Sequence, residues 1–190
     1  TLEERYNKLV STIEVNHINP IIIKDKGTVN MFPVWAPDSN VFAYLSNKNN
    51  DYFGQTDLFI HNLDNDVEQK ISGSVFSAPT WNPDGNIIYY SKKPKFPDKN
   101  GSRYYDIYEY DLSAKKEKRL TFGARSFSPV FIESDSSIAF LATNDGSQDV
   151  YIYNIGQDKI TQITDIESRP ILSSLQYNYF DNSLYFDISF

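Results

Sequence analysis

Residues 92–105 form a basic stretch rich in aromatic residues, in a chain whose net charge is negative. The stretch contains five basic residues and one acidic residue, namely Lys92, Lys93, Lys95, Lys99 and Arg103 against Asp98. It also contains Phe96, Tyr104 and Tyr105. Arginine and aromatic residues are enriched at the energetic centres of protein–protein interfaces. The stretch is therefore a candidate for contact with another protein or a peptide; simple solvation of an exposed loop is the alternative.

Patterns that would indicate catalysis or metal binding are missing from the sequence. It has no Gly-x-Ser-x-Gly nucleophile motif, no His-Glu-x-x-His zinc motif and no glycine-rich phosphate loop. The two histidines, His17 and His61, lack metal-ligand spacing, and the chain contains no cysteine. We therefore predict no catalytic residue, no cofactor and no metal site, and expect that the chain is not an enzyme by itself. A catalytic domain elsewhere in a longer parent protein stays open.

The overall charge restricts the class of partner. With 18 Lys and Arg against 25 Asp and Glu, the chain has a net charge of −7 at pH 7. Proteins that bind a nucleic-acid backbone concentrate positive charge instead, so we expect no nucleic-acid partner. No window approaches the roughly 18 apolar residues of a membrane span. Another protein or a peptide is the expected partner.

Four segments with an aromatic anchor recur along the chain. The anchors are Trp35, Trp81, Phe131 and Tyr177, and they are separated by 46, 50 and 46 residues. In the first three copies a proline lies two residues before the anchor. A propeller blade of four strands has a similar period, about 40–45 residues. The spacing therefore predicts one blade per copy.

Each copy has the same internal order of strands and turns. After the anchor come a turn, an apolar strand (residues 41–45, 87–90, 138–141 and 184–186) and a polar loop. A third strand begins with a repeated aspartate at Asp57, Asp106 or Asp149, and an outer strand follows around Ile71, Leu120 or Ile163. The pattern predicts an all-β propeller of four-stranded antiparallel blades, three complete and a fourth partial. Because the aspartate recurs in every complete copy, we predict that it makes a structural hydrogen bond.

These motifs resemble the TolB-like (Tol-Pal type) propeller repeat. The resemblance is carried by Pro79-x-Trp81-x-Pro83-Asp84-Gly85, by a strand ending in Ser46 or Ser91, by Asp106-Ile-Tyr and by Arg119-Leu-Thr121. Similar repeats occur in tricorn protease and in prolyl-oligopeptidase-type peptidases. The resemblance to the TolB-like repeat covers residues 20–190. It implies a periplasmic or otherwise exported protein that acts in assemblies of the cell envelope. Since propellers usually need more blades, we expect a piece of a longer propeller; an atypical small propeller is the alternative.

Loop lengths vary on only one face of the predicted blades. The anchor lies nine residues before the second-strand aromatic in all four copies, whereas the second-to-third-strand interval is 13, 16 or 9 residues. The interval from the outer strand to the next anchor also varies, and in an antiparallel blade both variable loops lie on the same face. Insertions on one face often mark the binding face of a repeat protein. The candidate partner-binding residues are Tyr52, Phe53, Phe76, Lys93, Lys95, Phe96, Arg103, Tyr104, Arg125, Phe127 and Arg169.

The N-terminal segment has a different pattern. Leu2, Tyr6, Leu9 and Ile13 fall at helical spacing, which predicts an α-helix within residues 1–16. Such a helix would suit the tail of a preceding domain or an element that docks a partner.

Two functions of different classes fit these patterns. The first is a non-catalytic propeller scaffold for protein–protein interaction, with the partner on the variable-loop face, in the bacterial cell envelope. The second is an accessory or substrate-gating propeller of a larger peptidase. A central channel that binds a small ligand or a glycan is a third possibility, and fold alone does not choose among them.

Overall fold

The computed structural model describes residues 27–190. The helix predicted within residues 1–16 lies outside the described residues, as do residues 20–26 of the predicted propeller. The described part of the chain contains fourteen β-strands, a single 3₁₀ turn at Glu133–Asp135 and no α-helix. The all-β prediction is therefore confirmed for residues 27–190.

The strands form three four-stranded sheets and one two-stranded sheet, in which consecutive strands pair antiparallel. We number these sheets as blades 1 to 4. Blade 1 contains β1 (Asn30–Trp35), β2 (Val41–Ser46), β3 (Asp57–Asn62) and β4 (Val67–Ser72). Blade 2 contains β5 (Thr80–Trp81), β6 (Ile87–Lys92), β7 (Asp106–Asp111) and β8 (Lys116–Arg119). Blade 3 contains β9 (Ser126–Ile132), β10 (Ser137–Asn144), β11 (Ser147–Asn154) and β12 (Lys159–Gln162), and blade 4 contains β13 (Ile171–Asn178) and β14 (Ser183–Ser189).

The predicted repeat matches these blades strand by strand. All four aromatic anchors lie in the innermost strand, and each repeated aspartate lies in the third strand. The outer strands β8 and β12 end one residue before the predicted Leu120 and Ile163. Both residues still donate a backbone hydrogen bond of 2.8 Å to the third strand, to Ile107 and Val150. The predicted positions of these two outer strands are thus correct to within one residue.

Neighbouring blades pack face to face through apolar side chains. Successive residues of a strand point to opposite faces of the sheet. In β6, Ile88 and Tyr90 therefore pack against blade 1, whereas Tyr89 packs against blade 3. A third cluster joins blade 3 to blade 4, where Leu141 packs with Leu172. Blades 2 and 3 thus bury both faces against their neighbours in the sequence, as expected for a repeat architecture.

Three of the four inner strands share a distortion that was not predicted from sequence. Phe32, Ser128 and Ser174, each three residues before an anchor, have φ values of 55°, 51° and 54°. The strand register shifts at each of these positions. A positive φ is unusual for a bulky residue, so the backbone at Phe32 is strained. A proline directly follows Phe32 and Ser128, and it is the local feature of the sequence that could have indicated the distortion.

Candidate partner-binding face

The loops of variable length meet on one face of the blades, which we call the variable face. It contains the loops 47–56, 73–79, 93–105, 120–125, 145–146 and 163–170. Backbone hydrogen bonds join successive loops: Val75 donates to Thr56 at 2.9 Å, and Lys93 donates to Ser74 at 3.2 Å. At the next loop, the amide of Ser126 donates to Tyr105 at 2.8 Å. The loops therefore form one continuous surface.

The repeated aspartates anchor these loops through hydrogen bonds. Asp106 is fully buried, and its carboxylate accepts hydrogen bonds from Thr121 Oγ1 at 2.8 Å, from the amides of Gly123 and Ala124, and from Arg119. Asp149 accepts from Thr164 Oγ1 at 2.9 Å and from the amide of Ile166 at 3.2 Å. Asp57 accepts from Lys70 and from the amide of Ser74. The prediction that these aspartates are structural is confirmed.

Two groups of the predicted residues are in direct contact on this face. The ring of Phe76 lies 5.0 Å from that of Tyr105, and Lys93 Nζ lies 4.9 Å from the Tyr105 ring centre. The guanidinium of Arg125 lies 4.3 Å above the ring of Tyr104, and its Nη2 donates to the Tyr104 hydroxyl at 3.0 Å. Hydrogen bonds from Ser102 and Arg125 lower the pKa of the Tyr104 phenol below its usual range. Cation–π attraction thus stabilises the contact of Lys93 with Tyr105 and that of Arg125 with Tyr104.

Other predicted residues stay apart from these two groups. Tyr52 and Phe53 lie exposed in the loop of blade 1, and Phe96 lies exposed near the tip of loop 93–105. Lys95 Nζ stacks on Phe96 at 5.5 Å, while Arg103 Nε donates to the Pro94 carbonyl within the same loop. These residues extend the surface.

Arg169 borders a separate cavity. Its side chain lines a hollow of about 430 Å³ together with Asp165 and Glu167. Arg169 is thus part of the variable face at blade 3, surrounded by acidic rather than basic neighbours.

Phe76 and Phe127 also line a central groove between the inner strands. The groove has a volume of about 780 Å³ and is bordered by Phe32, by serines and by apolar residues of β9 and β13, with no charged side chain among its lining residues. An uncharged lining favours an uncharged or apolar occupant, because a charged one would lose its hydration without a partner. Sequence analysis did not identify Phe32 as part of this groove.

A partly exposed ion pair lies on the outer side of blade 2. Lys92 Nζ lies 2.7 Å and 2.8 Å from the two carboxylate oxygens of Glu117, which also accepts hydrogen bonds from Tyr90 and Ser72. Burial by itself would raise the pKa of Glu117, but these hydrogen bonds outweigh it and lower the pKa below its usual range. The sequence analysis did not predict this cluster, whose residues come from three strands of two blades.

Glu117→Gln is expected to remove a pH-dependent part of the stability. A carboxylate with a lowered pKa in the folded state stabilises it above about pH 4.5, and this contribution is lost as the pH falls through the folded-state pKa. In urea titrations between about pH 7 and pH 3, the difference in unfolding free energy between wild type and variant should stay constant near neutrality and shrink at acidic pH. A difference that is independent of pH would contradict this role of Glu117.

The described residues contain no group of three or more His, Cys, Asp or Glu that could hold a metal ion. Within the same residues, no helix is long and apolar enough to cross a membrane. His61 is buried and stacks on Phe42 at 5.5 Å, and its Nε2 lies 3.0 Å from Asp66. His61 is thus a structural residue of blade 1.

Comparison with solved structures relates this architecture to known propellers. TolB from Acinetobacter baumannii is similar over 83% of this chain and 37% of its own, with 20% identity and a TM-score of 0.65. The fold is that of a TolB-like β-propeller. A prolyl endopeptidase structure is similar over 84% of this chain and 26% of its own (13% identity, TM-score 0.56). The β-propeller domain of the Trilobed protease from Pyrococcus furiosus is similar over 83% and 54% (17% identity, TM-score 0.52).

These similarities confirm the predicted resemblance to TolB and to peptidase propellers at the level of the fold. The chain spans 37% of the TolB chain that it matches, so it corresponds to part of that protein. No family model matches the chain, and no curated protein matches it.

Proposed function

We propose that this chain is a propeller module that binds another protein through the variable face. The observation that carries the proposal is the surface of loop 93–105 and its neighbours, where Phe76 and exposed Lys93 contact Tyr105 and Arg125 contacts Tyr104. Arginine and aromatic side chains with restricted conformations supply large contact areas at a small entropic cost. In a chain of net charge −7, this surface is a local region of positive charge.

The partner and the cellular location follow from the same proposal. A basic surface favours an acidic partner, since complementary charge accelerates association and excludes partners of like charge. The similarity to TolB supports a role in an assembly of the bacterial envelope, in the periplasm or another exported location. Catalysis is not required of the chain in this role.

A second candidate is supported by the central groove. Its uncharged lining and its volume of about 780 Å³ would suit the passage of an extended polypeptide. Together with the similarity to peptidase propellers, this favours an accessory or substrate-gating domain of a larger peptidase. In that case the central groove, rather than loop 93–105, would determine what the chain binds.

Replacing the exposed tip of loop 93–105 is expected to weaken partner capture by about tenfold or more, equivalent to about 1.4 kcal/mol. The variant Lys95→Ser, Phe96→Ser, Lys99→Ser removes two charges and one aromatic ring. It keeps the ion pair between Asp98 and Arg119, whose closest N–O distance is 3.0 Å and which holds the loop in place. Capture from an envelope extract would identify a partner, and titration with the purified partner would measure the change in affinity.

A matched control lies on the opposite face. Lys115→Ser, Lys116→Ser, Phe180→Ser removes the same side-chain types from turns whose length varies little between blades, and all three residues are exposed. We expect this control to bind the partner as tightly as wild type. If the two triple variants bind equally well, the variable face is not the binding surface and the peptidase alternative is favoured.

A further inference from the structure

Corresponding aromatic pairs occupy the same position in blades 1, 2 and 3. Each second strand contributes one ring and each third strand its register partner: Tyr44 with Phe59, Tyr90 with Tyr108, and Phe140 with Tyr151. The ring centres are 5.7, 6.3 and 5.9 Å apart, and the rings are stacked in all three blades. Because strand pairing fixes these partners, the three sites can be compared residue by residue, although their loops differ in length.

In blades 1 and 2, a lysine–glutamate pair covers the rings. Lys48 Nζ lies 4.0 Å from the Phe59 ring centre and pairs with Glu68. Lys92 Nζ lies 5.2 Å from the Tyr108 ring centre and pairs with Glu117 at 2.7 Å. Both glutamates lie eleven residues after the repeated aspartate of their blade. In both blades, an ion pair between two residues of the chain thus covers the stacked rings.

Blade 3 lacks both members of this pair. Ile160 lies eleven residues after Asp149, where the other blades have glutamate, and Ala142 is the register partner of Asp149 as Lys92 is of Asp106. A cavity of about 440 Å³ lies between blades 2 and 3 at this place. We call it the inter-blade groove. Its apolar lining consists of Phe140 and Ala142, which are buried, and of the partly exposed Tyr151 and the exposed Ile160. The rings are present, but the charges that cover their counterparts are replaced by apolar side chains.

The rim of the inter-blade groove is basic on the side of blade 2. Arg125 stacks on Tyr104 and forms no ion pair with the described residues, and both line the groove. Neighbouring Lys95, Lys99 and Arg103 of loop 93–105 also form no ion pair within the described part of the chain, because Asp98 is paired with Arg119. The opposite rim carries Asp145 as the single acidic lining residue. Charge on the rim thus favours an anionic ligand approaching from blade 2.

We propose that the inter-blade groove binds an apolar side chain, flanked by acidic residues, of an extended segment of the partner protein. The proposal rests on the proposed function and names the chemistry of the partner. The apolar side chain would lie on the partly exposed ring of Tyr151 and on Ile160, and a flanking carboxylate would accept hydrogen bonds from Arg125. A lysine side chain, which would replace the missing internal lysine, suits the groove less well because Ile160 removes the anion that such a lysine would need.

Three short capped peptides test this chemistry on the full chain. They are Gly-Asp-Phe-Asp-Gly, Gly-Lys-Phe-Lys-Gly and Gly-Asp-Ala-Asp-Gly, titrated while the backbone amides are followed by NMR. For the first peptide we expect saturable shifts at Arg125, Ala142 and Tyr151, with a dissociation constant on the order of 1 mM. Replacing its acidic residues by lysine, or its phenylalanine by alanine, should weaken binding by about fivefold or more. Tighter binding of the lysine peptide, or shifts confined to other loops, would overturn the proposal.

Two groove variants and a control complete the test. Ala142→Lys, Ile160→Glu restores the ion pair found in blade 2 and should abolish binding of the acidic peptide; Arg125→Glu should weaken it and tests the rim if the first variant does not fold. Val67→Glu places the same charge on an exposed apolar residue of blade 1 and should change nothing. Unchanged peptide binding by both groove variants would overturn the proposal.

The two proposals fail in different ways. The double variant in the groove keeps every residue of loop 93–105. If it captures the partner normally while the loop variant does not, the variable face binds a protein but the inter-blade groove does not take part. If neither variant affects capture, the proposed function itself is wrong.

Discussion

Asp106→Ala is expected to lower the free energy of unfolding by about 3–5 kcal/mol, because it removes one partner of a buried ion pair. The carboxylate is fully buried and accepts hydrogen bonds from Arg119, Thr121 and two backbone amides. Without it, Arg119 loses its buried partner and the root of loop 120–125 loses its hydrogen bonds. Urea denaturation followed by circular dichroism measures the change.

Asp111 provides a matched comparison within the same strand. Its carboxylate accepts a single hydrogen bond, from the amide of Ala114 at 2.8 Å, in the exposed turn after β7. Asp111→Ala should therefore cost about 1 kcal/mol or less. Equal losses for the two variants would show that the buried network around Asp106 does not stabilise the blade.

Trp81→Ala is expected to cost about 3–5 kcal/mol, the range measured for large aromatic residues removed from cores. The indole is 6% exposed, packs between blades 1 and 2, and donates from Nε1 to the carbonyl of Val34 at 3.1 Å. Removing it would leave a cavity between the two blades. Thermal and urea unfolding curves would report the loss.

Trp35, the same repeat position in blade 1, is the internal control. Its side chain is 53% exposed and touches the ring of Phe42, with centres 5.3 Å apart. Trp35→Ala should cost about 1 kcal/mol, the usual value of one aromatic pair. If the two alanine variants were equally unstable, the packing of Trp81 between blades would not be the reason for the effect.

Local patterns account for most of the predicted fold. The aromatic anchors, the turns after them and the repeated aspartates define the copies, and each predicted second strand lies within an observed strand, although β10 and β14 extend three residues beyond the prediction. Turn propensity and the alternation of side chains along a strand act over a few residues, so they can be read from sequence. The bulges in the inner strands could not be predicted from sequence, because they depend on pairing with the neighbouring strand.

The candidate face was predicted as a set of residues rather than as contacts. Variation in loop length indicated the correct face, because antiparallel connectivity alone decides which loops share it. The contact between Tyr104 and Arg125, 21 residues apart, and the separation of Arg169 from both depend on how the blades dock.

The sequence by itself determined the repeat, the strand order and the structural role of Asp57, Asp106 and Asp149, since these follow from local chemistry repeated at fixed spacing. Only the tertiary structure decided that the groove between blades 2 and 3 is open. Ala142 and Ile160 lie as far after the anchor and the repeated aspartate of blade 3 as Lys92 and Glu117 do in blade 2. The sequence therefore shows that the ion pair is missing, but only the docking of blade 3 on blade 2 shows that both positions line one groove. Tyr151 is partly exposed in this groove, whereas its counterpart Tyr108 in blade 2 is buried beneath the pair of Lys92 and Glu117.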